Sequence, residues 1–130
     1  MNDLCFDTCF LIDLERELRR GAAKAFAFVA AHREVRFWIS WTVAGEFAEG
    51  FSDIRQQECA ALLARFDVLT MEEPTAGAYA RIARELRQKR QMIGANDLGI
   101  AAAALVADFP LVTNNAAHFG RVAGLEVIAY

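Results

Sequence analysis

The sequence predicts an α/β domain, a mainly parallel central sheet of four to five short strands flanked by helices. Two observations predict it. Short apolar runs alternate with longer stretches of helical periodicity, and those runs are apolar throughout rather than every second residue, as in strands covered on both faces. A chain of 130 residues with 55% hydrophobic content can build one core without staples, so a single domain is expected over residues 1–130.

Taken in order, residues 4–6 form a first strand, ended by Asp7-Thr8, which turns the chain into a helix to about Arg20, where Gly21 breaks it. Residues 22–32 read as an amphipathic helix. VRFWIS at 35–40 has the β-branched and aromatic residues that favour a strand. Ser40 or Thr42 can cap a helix to about Gly50, and Ser52 another through Phe66. DVLT at 67–70 is a third strand. Pro74 fits the first turn of a long helix to Gln91. Gly94-Ala95-Asn96 interrupts it, with Asn96 as cap for a helix over 97–107, before strands at 110–113 and, more weakly, 125–128.

A net charge of −3 argues against a general nucleic-acid coat protein, which would show a basic excess. It leaves room for an enzyme that cuts nucleic acid, because cations can supply the positive charge at a phosphate. Cys5, Cys9 and Cys59 are an odd set without a CxxC pair, so reduced thiols and a cytoplasmic protein are expected rather than a disulfide framework or zinc site. MNDLCFD lacks the basic start of a signal peptide. The longest apolar run, residues 100–107, falls far short of the roughly 20 residues a membrane helix needs.

In a parallel sheet flanked by helices, strand C-termini and helix N-termini share one edge, and ligands bind there. Asp7 ends the first strand, Glu46 lies early in the helix after the second, and Asp97 opens the helix before the fourth. Asn114 and Asn115 follow that fourth strand directly in VTNN. Only hard oxygen donors converge at this edge. Carboxylates brought together repel one another unless a cation sits among them. Mg²⁺ or Mn²⁺ suits such a shell, leaving positions open for a substrate phosphate, and phosphodiester hydrolysis is the chemistry served.

Each acid also has an ordinary account. Asp7 would serve equally as a turn or cap residue, and Glu46 and Asp97 as complements to a helix dipole. Against this stands their company. Glu46 sits in WTVAGEFA and Asp97 precedes LGIAAAALVA, which places both at the rim of the core, where an unpartnered acid is costly.

DTCFLIDL, VAGEF, GANDLGIAAAAL and LVTNNAAHFGRVAGLEVI, in that order, resemble the four motifs of PIN-domain proteins, most closely VapC-type toxins, over nearly the whole chain. The resemblance implies a Mg²⁺- or Mn²⁺-dependent ribonuclease with Asp7, Glu46 and Asp97 as metal-binding and catalytic acids. Thr8 matches the small hydroxyl residue that often follows the first acid, and Thr113 supports the site by hydrogen bonding. Many PIN domains carry an acid where Asn115 stands, whereas VapC-like sequences often show this same TNN. A neutral amide lowers the site's charge and counts against a tightly held second ion. The resemblance further implies a cognate VapB-like antitoxin and a homodimer. Phe37, Trp38, Trp41, Phe47 and Phe51 either furnish such contacts or, more simply, fill the core.

Arg84, Arg87, Lys89 and Arg90, with Arg81, crowd the end of the long helix on the approach to Asp97; they either hold RNA phosphates or form a solvated helix end. Arg16, Arg19, Arg20 and Lys24 are expected as surface charge. His118 and His32 read as structural, and Asp13, Glu15 and Glu17 as solvent-exposed, with Asp13 alone able to approach Asp7. Competing functions are a PIN-like nuclease of RNA maturation without an antitoxin, a non-catalytic PIN-like scaffold, and a phosphatase or signalling domain using Asp7 as nucleophile. The last needs a lysine partner that the sequence does not offer.

Overall fold

The computed structural model describes residues 2–130. Five parallel strands, β1 (Asp3–Phe6), β2 (Arg36–Ser40), β3 (Asp67–Leu69), β4 (Leu111–Val112) and β5 (Val127–Ile128), form one sheet in the order β3-β2-β1-β4-β5. The helices are α1 (Thr8–Arg20), α2 (Lys24–Ala31), α3 (Trp41–Ala48), α4 (Gln57–Leu63), α5 (Glu73–Gln88), α6 (Ala95–Ala107) and the single turn α7 (Ala116–Phe119). Strands progress outward from β1 on one side and then restart from it on the other. The order therefore reverses between β1 and β4, and the crevice at a parallel sheet's carboxyl edge opens at such a reversal.

The core follows from the strand residues. Phe6 at the end of β1 meets Phe10, Phe28, Phe37 and Phe66 at ring-centroid distances of 4.5, 5.9, 4.4 and 5.6 Å, tying α1 and α2 to β2 and the approach to β3. Tilted and edge-on rings add directional stabilisation to the burial itself. α6 is buried from Leu98 through Ala104. A helix apolar nearly all round belongs inside a protein, and its alanines keep it thin enough to lie close to its neighbours. Gly99 serves the same closeness, since a Cβ there would stand 3.3 Å from Thr42 Oγ1 on α3.

Among the described residues no helix is long and apolar enough to cross a membrane, and Cys5, Cys9 and Cys59 are all free thiols. Three local expectations need correction. Ser52 caps nothing: residues 51–56 form turns in which Asp53 accepts from the Arg55 N–H at 2.9 Å, and α4 starts only at Gln57. Asn96 is not the cap of α6 but lies within its first turn, because Gly94 takes the extended cap conformation and frees the Asn96 amide for Glu46. Glu17, expected in solvent, is buried.

The reason for Glu17 is the start of α2, whose cap position, Ala23, has no side-chain acceptor. Glu17 reaches over from α1 and accepts from the backbone N–H groups of Ala23, Ala25 and Phe26 at 2.7, 3.0 and 2.9 Å. Burial works against its charge, but those three donors outweigh it and hold the carboxyl below its ordinary value. An acid with a lowered folded pKa stabilises above the unfolded value of 4.5, and that contribution is lost as pH falls through the folded value. Glu17→Gln should therefore cost about 2 kcal/mol at pH 7. Urea unfolding of both proteins should show the difference shrinking as pH is lowered toward 3 or so, where wild-type Glu17 becomes neutral as well.

Candidate functional site

β1 delivers Asp7 to the reversal point, where its backbone N–H donates to the Val112 carbonyl of β4 at 3.0 Å. Its carboxylate is buried, with 7% exposure. Oδ1 accepts from the Thr8 N–H at 2.8 Å, so Asp7 does cap α1. Oδ2 accepts from the Thr113 hydroxyl at 2.7 Å and lies 3.5 Å from the Cys9 thiol. Thr113 is fully buried and in turn accepts from the Asn115 N–H at 2.9 Å. The cap role and the site role of Asp7 thus use different oxygens of one side chain.

Glu46 stands in the second turn of α3, which begins directly after β2 because Ser40 ends the strand and its Oγ accepts from the Val43 N–H at 3.2 Å. Its Oε1 accepts from the Thr8 hydroxyl at 2.5 Å and its Oε2 from the Asn96 amide at 3.0 Å. Asp97 occupies the first turn of α6, next to Asn96. Glu46 and Asp97 are both half-buried, as their apolar flanks suggest.

Asp97 reports how close the acids are electrically. Burial raises its pKa most, followed by the negative charge of Asp7, with Glu46 adding to the same effect, while a hydrogen bond from His118 pulls the other way. The His118 Nδ1 lies 3.6 Å from Asp97 Oδ2 and 3.1 Å from the Asn115 amide nitrogen. His118 therefore belongs to this group, which neither its spacing nor its neighbours in the sequence disclosed. The missing signal was α7, a four-residue turn between β4 and β5 that brings residue 118 back beside residue 115. Cys9 also escaped notice; burial first, and then the charge of Asp7, raise its pKa, so it stands beside the site as a neutral thiol.

Of the other residues singled out, Arg84, Arg87, Lys89 and Arg90 are exposed where α5 ends, just before the loop into α6, and form no ion pair among the described residues. Asp13 does not turn toward Asp7. It accepts from the Tyr130 hydroxyl at 2.6 Å and pairs with Arg16. In the aromatic set Phe47 is buried, but Trp41 is 58% exposed at the carboxyl edge of β2.

The three carboxylates offer hard oxygen, with Cys9 and His118 turned to those oxygens rather than standing free beside them, and such a set fits a magnesium-like ion better than zinc. Among the described residues no three His, Cys, Asp or Glu groups stand close enough to close on an ion as they lie. Each carboxylate is instead turned to a hydroxyl, amide or imidazole partner, so coordination would require rotation of side chains already facing one crevice.

The PIN domain family profile matches residues 4–125. Ribonuclease VapC1 of Methanocaldococcus jannaschii is 31% identical over 85 residues, 65% of this chain and 62% of that protein, a match that stops short of two thirds of its length. Ribonuclease VapC1 of Rickettsia felis is 29% identical over 133 aligned residues, 96% of this chain and 94% of the relative. Among solved structures, a chain of VapBC2 from Rickettsia felis bound to a DNA fragment from their promoter gives a TM-score of 0.80 at 22% identity, covering 98% of each chain. A likeness at that identity speaks for the fold. With the profile running from β1 to within two residues of β5, the chain belongs to the PIN domain family.

Proposed function

We propose that the chain is a divalent-metal-dependent endoribonuclease, the toxin of a type II toxin–antitoxin pair, acting in the cytoplasm. The observation that carries this reading is the meeting of Asp7, Glu46 and Asp97 at the sheet's reversal point, in a chain similar along nearly its whole length to a protein named Ribonuclease VapC1. A scaffold would have no reason to hold Asp97 where its burial and the charges of Asp7 and Glu46 make its ionisation costly. The partner in this reading is a VapB-like antitoxin, supported by the likeness to a chain of VapBC2. Trp41 and Met71, exposed at the carboxyl side of β2 and β3, offer apolar surface for that contact or for a homodimer.

Asp7, Glu46 and Asp97 would hold Mg²⁺ or Mn²⁺. Such an ion, when bound, supplies Lewis-acid polarisation of the phosphoryl oxygen and makes the attacking water more acidic. The chain's own contribution is orientation. Thr113 and the Thr8 N–H fix the Asp7 carboxylate from both sides, and the Thr8 hydroxyl and Asn96 fix Glu46. Asn115 offers a neutral oxygen where a fourth acid would add repulsion. Arg84, Arg87, Lys89 and Arg90 would draw the RNA backbone toward the crevice by neutralising phosphates.

A mixed RNA pool incubated with wild type should be cut with Mg²⁺ or Mn²⁺ and left intact with EDTA. Asp97→Asn should lower the rate on the order of 10³-fold, the several kcal/mol that such charge stabilisation supplies. Cutting by the variant at the wild-type rate would defeat the assignment. The same variant should be more stable. A raised folded pKa means that the Asp97 anion costs stability above its unfolded value and ceases to do so as pH falls. Asp97→Asn should therefore gain about 1 kcal/mol at pH 7 in urea titration, with the gain fading in acid.

Replacing Arg84 and Arg87 together by alanine should raise KM for RNA several-fold, leave kcat nearly unchanged, and flatten the dependence of log KM on log salt concentration. An unaltered salt slope would return both residues to the role of solvated surface.

A further inference from the structure

Asp7, Thr113, Asn115, His118 and Asp97 form a continuous chain of contacts. The Thr113 hydroxyl gives its proton to Asp7 and receives the Asn115 N–H, while the Asn115 amide and Asp97 Oδ2 both face one nitrogen, His118 Nδ1. His118 is carried on the single turn α7. Phe119 beside it is fully buried, and the His118 N–H donates to the Asn115 carbonyl at 3.2 Å, so residues 115 and 118 move as one turn. The side chain is nonetheless 44% exposed, and packing alone does not explain its orientation toward Asp97.

Partners decide which nitrogen carries the proton. Were the Nδ1 lone pair to accept from Asn115, Asp97 Oδ2 would face that same lone pair at 3.6 Å, oxygen against nitrogen with no proton between them. A proton on Nδ1 removes the conflict. The Asn115 amide then turns its oxygen to the ring, a rotation that changes neither its shape nor its place. Nδ1–H would then donate to the Asn115 amide oxygen at 3.1 Å and turn its positive end toward the Asp97 carboxylate at 3.6 Å.

We propose that His118, with Asn115 as its brace, is a positioning residue that fixes the Asp97 carboxylate for metal binding through Nδ1–H. The inference rests on the metal-centre reading above. It gives Asn115 a task that an acid at that position could not perform without adding a fourth negative charge. Groups that orient a metal's ligands from behind typically change affinity or activity 10–100-fold when removed.

The test compares wild type with His118→Ala, His118→Asn and His118→Gln, using Mn²⁺ titration calorimetry, single-turnover RNA cleavage and thermal unfolding. His118→Ala should weaken Mn²⁺ binding about 10-fold and slow cleavage with KM for RNA unchanged. Its Tm should stay close to that of wild type, since an exposed ring is lost. His118→Asn, whose amide nitrogen falls where Nδ1 stood, should recover most of the affinity, and His118→Gln, whose amide reaches past that point, should not. Wild-type Mn²⁺ affinity in His118→Ala would overturn the proposal, as would an asparagine variant no better than alanine. A raised KM with unaltered Mn²⁺ affinity would also overturn it, because His118 would then act on RNA. Absence of Mn²⁺ binding in wild type itself would bring down the metal-centre reading and this inference with it.

Discussion

The mutual repulsion of three carboxylates at one sheet edge is the constraint to which the surrounding structure answers. The answer is a ring of short polar contacts. From Asp7 it runs through Thr8 to Glu46, through Asn96 to the first turn of α6, from Asp97 to His118 and Asn115, and back through Thr113 to Asp7. Every member is supplied by an element whose end lies at that edge: β1 and α1, α3, α6, and the β4–α7 turn. Hydrogen bonds to ionised acceptors are about twice as strong as neutral ones, and here they hold like charges in one crevice without leaving any buried side-chain polar atom unpartnered among the described residues.

Holding the ring in place falls to the apolar parts of the same elements. Phe6 precedes Asp7 and anchors the aromatic cluster; Leu98 follows Asp97 and begins the buried run of α6; Val112 precedes Thr113 and is fully buried. Each acid of the site, and Thr113, is thus one residue from a core side chain, and its backbone has little freedom to retreat. Packed interiors behave as rigid bodies, so burial and repulsion are carried as a cost to Asp97 ionisation instead of being relieved by movement.

This coupling explains what could be read from the sequence. Asp7, Glu46 and Asp97 were legible because each interrupts or borders an apolar run, and strand-before-helix order alone brings such residues to one edge. The order of the strands, with its reversal between β1 and β4, was not legible, since alternation of strands and helices fixes direction but not which strand neighbours which. Glu17 was not legible, since its burial depends on α2 starting at an alanine and on the turn at Gly21, whose φ of 126° swings the chain back over α1. Ser52 and Asn96 both look like caps by residue type. Their backbones are placed by neighbouring turns, and tertiary hydrogen bonding claimed Asn96 for Glu46. His118 lay within a recognisable motif, yet its role depends on a four-residue turn too short to carry any periodicity.

The neutral Asn115 is where charge and geometry are traded against one another. An acid in its place would face Asp7 and Asp97 across Thr113 and His118, adding to a field that already raises the Asp97 pKa. The amide offers a neutral oxygen, so it can accept from an imidazole N–H without repelling the neighbouring acids. In a chain whose net charge is −3, sparing one negative charge beside three acids is a substantial local difference. Arg84, Arg87, Lys89 and Arg90, exposed around the end of α5, form no ion pair among the described residues. Charge is thus sorted by position: the acids of the edge are each turned to a hydrogen-bond partner, while these cations stand on an exposed helix end just before the loop into α6.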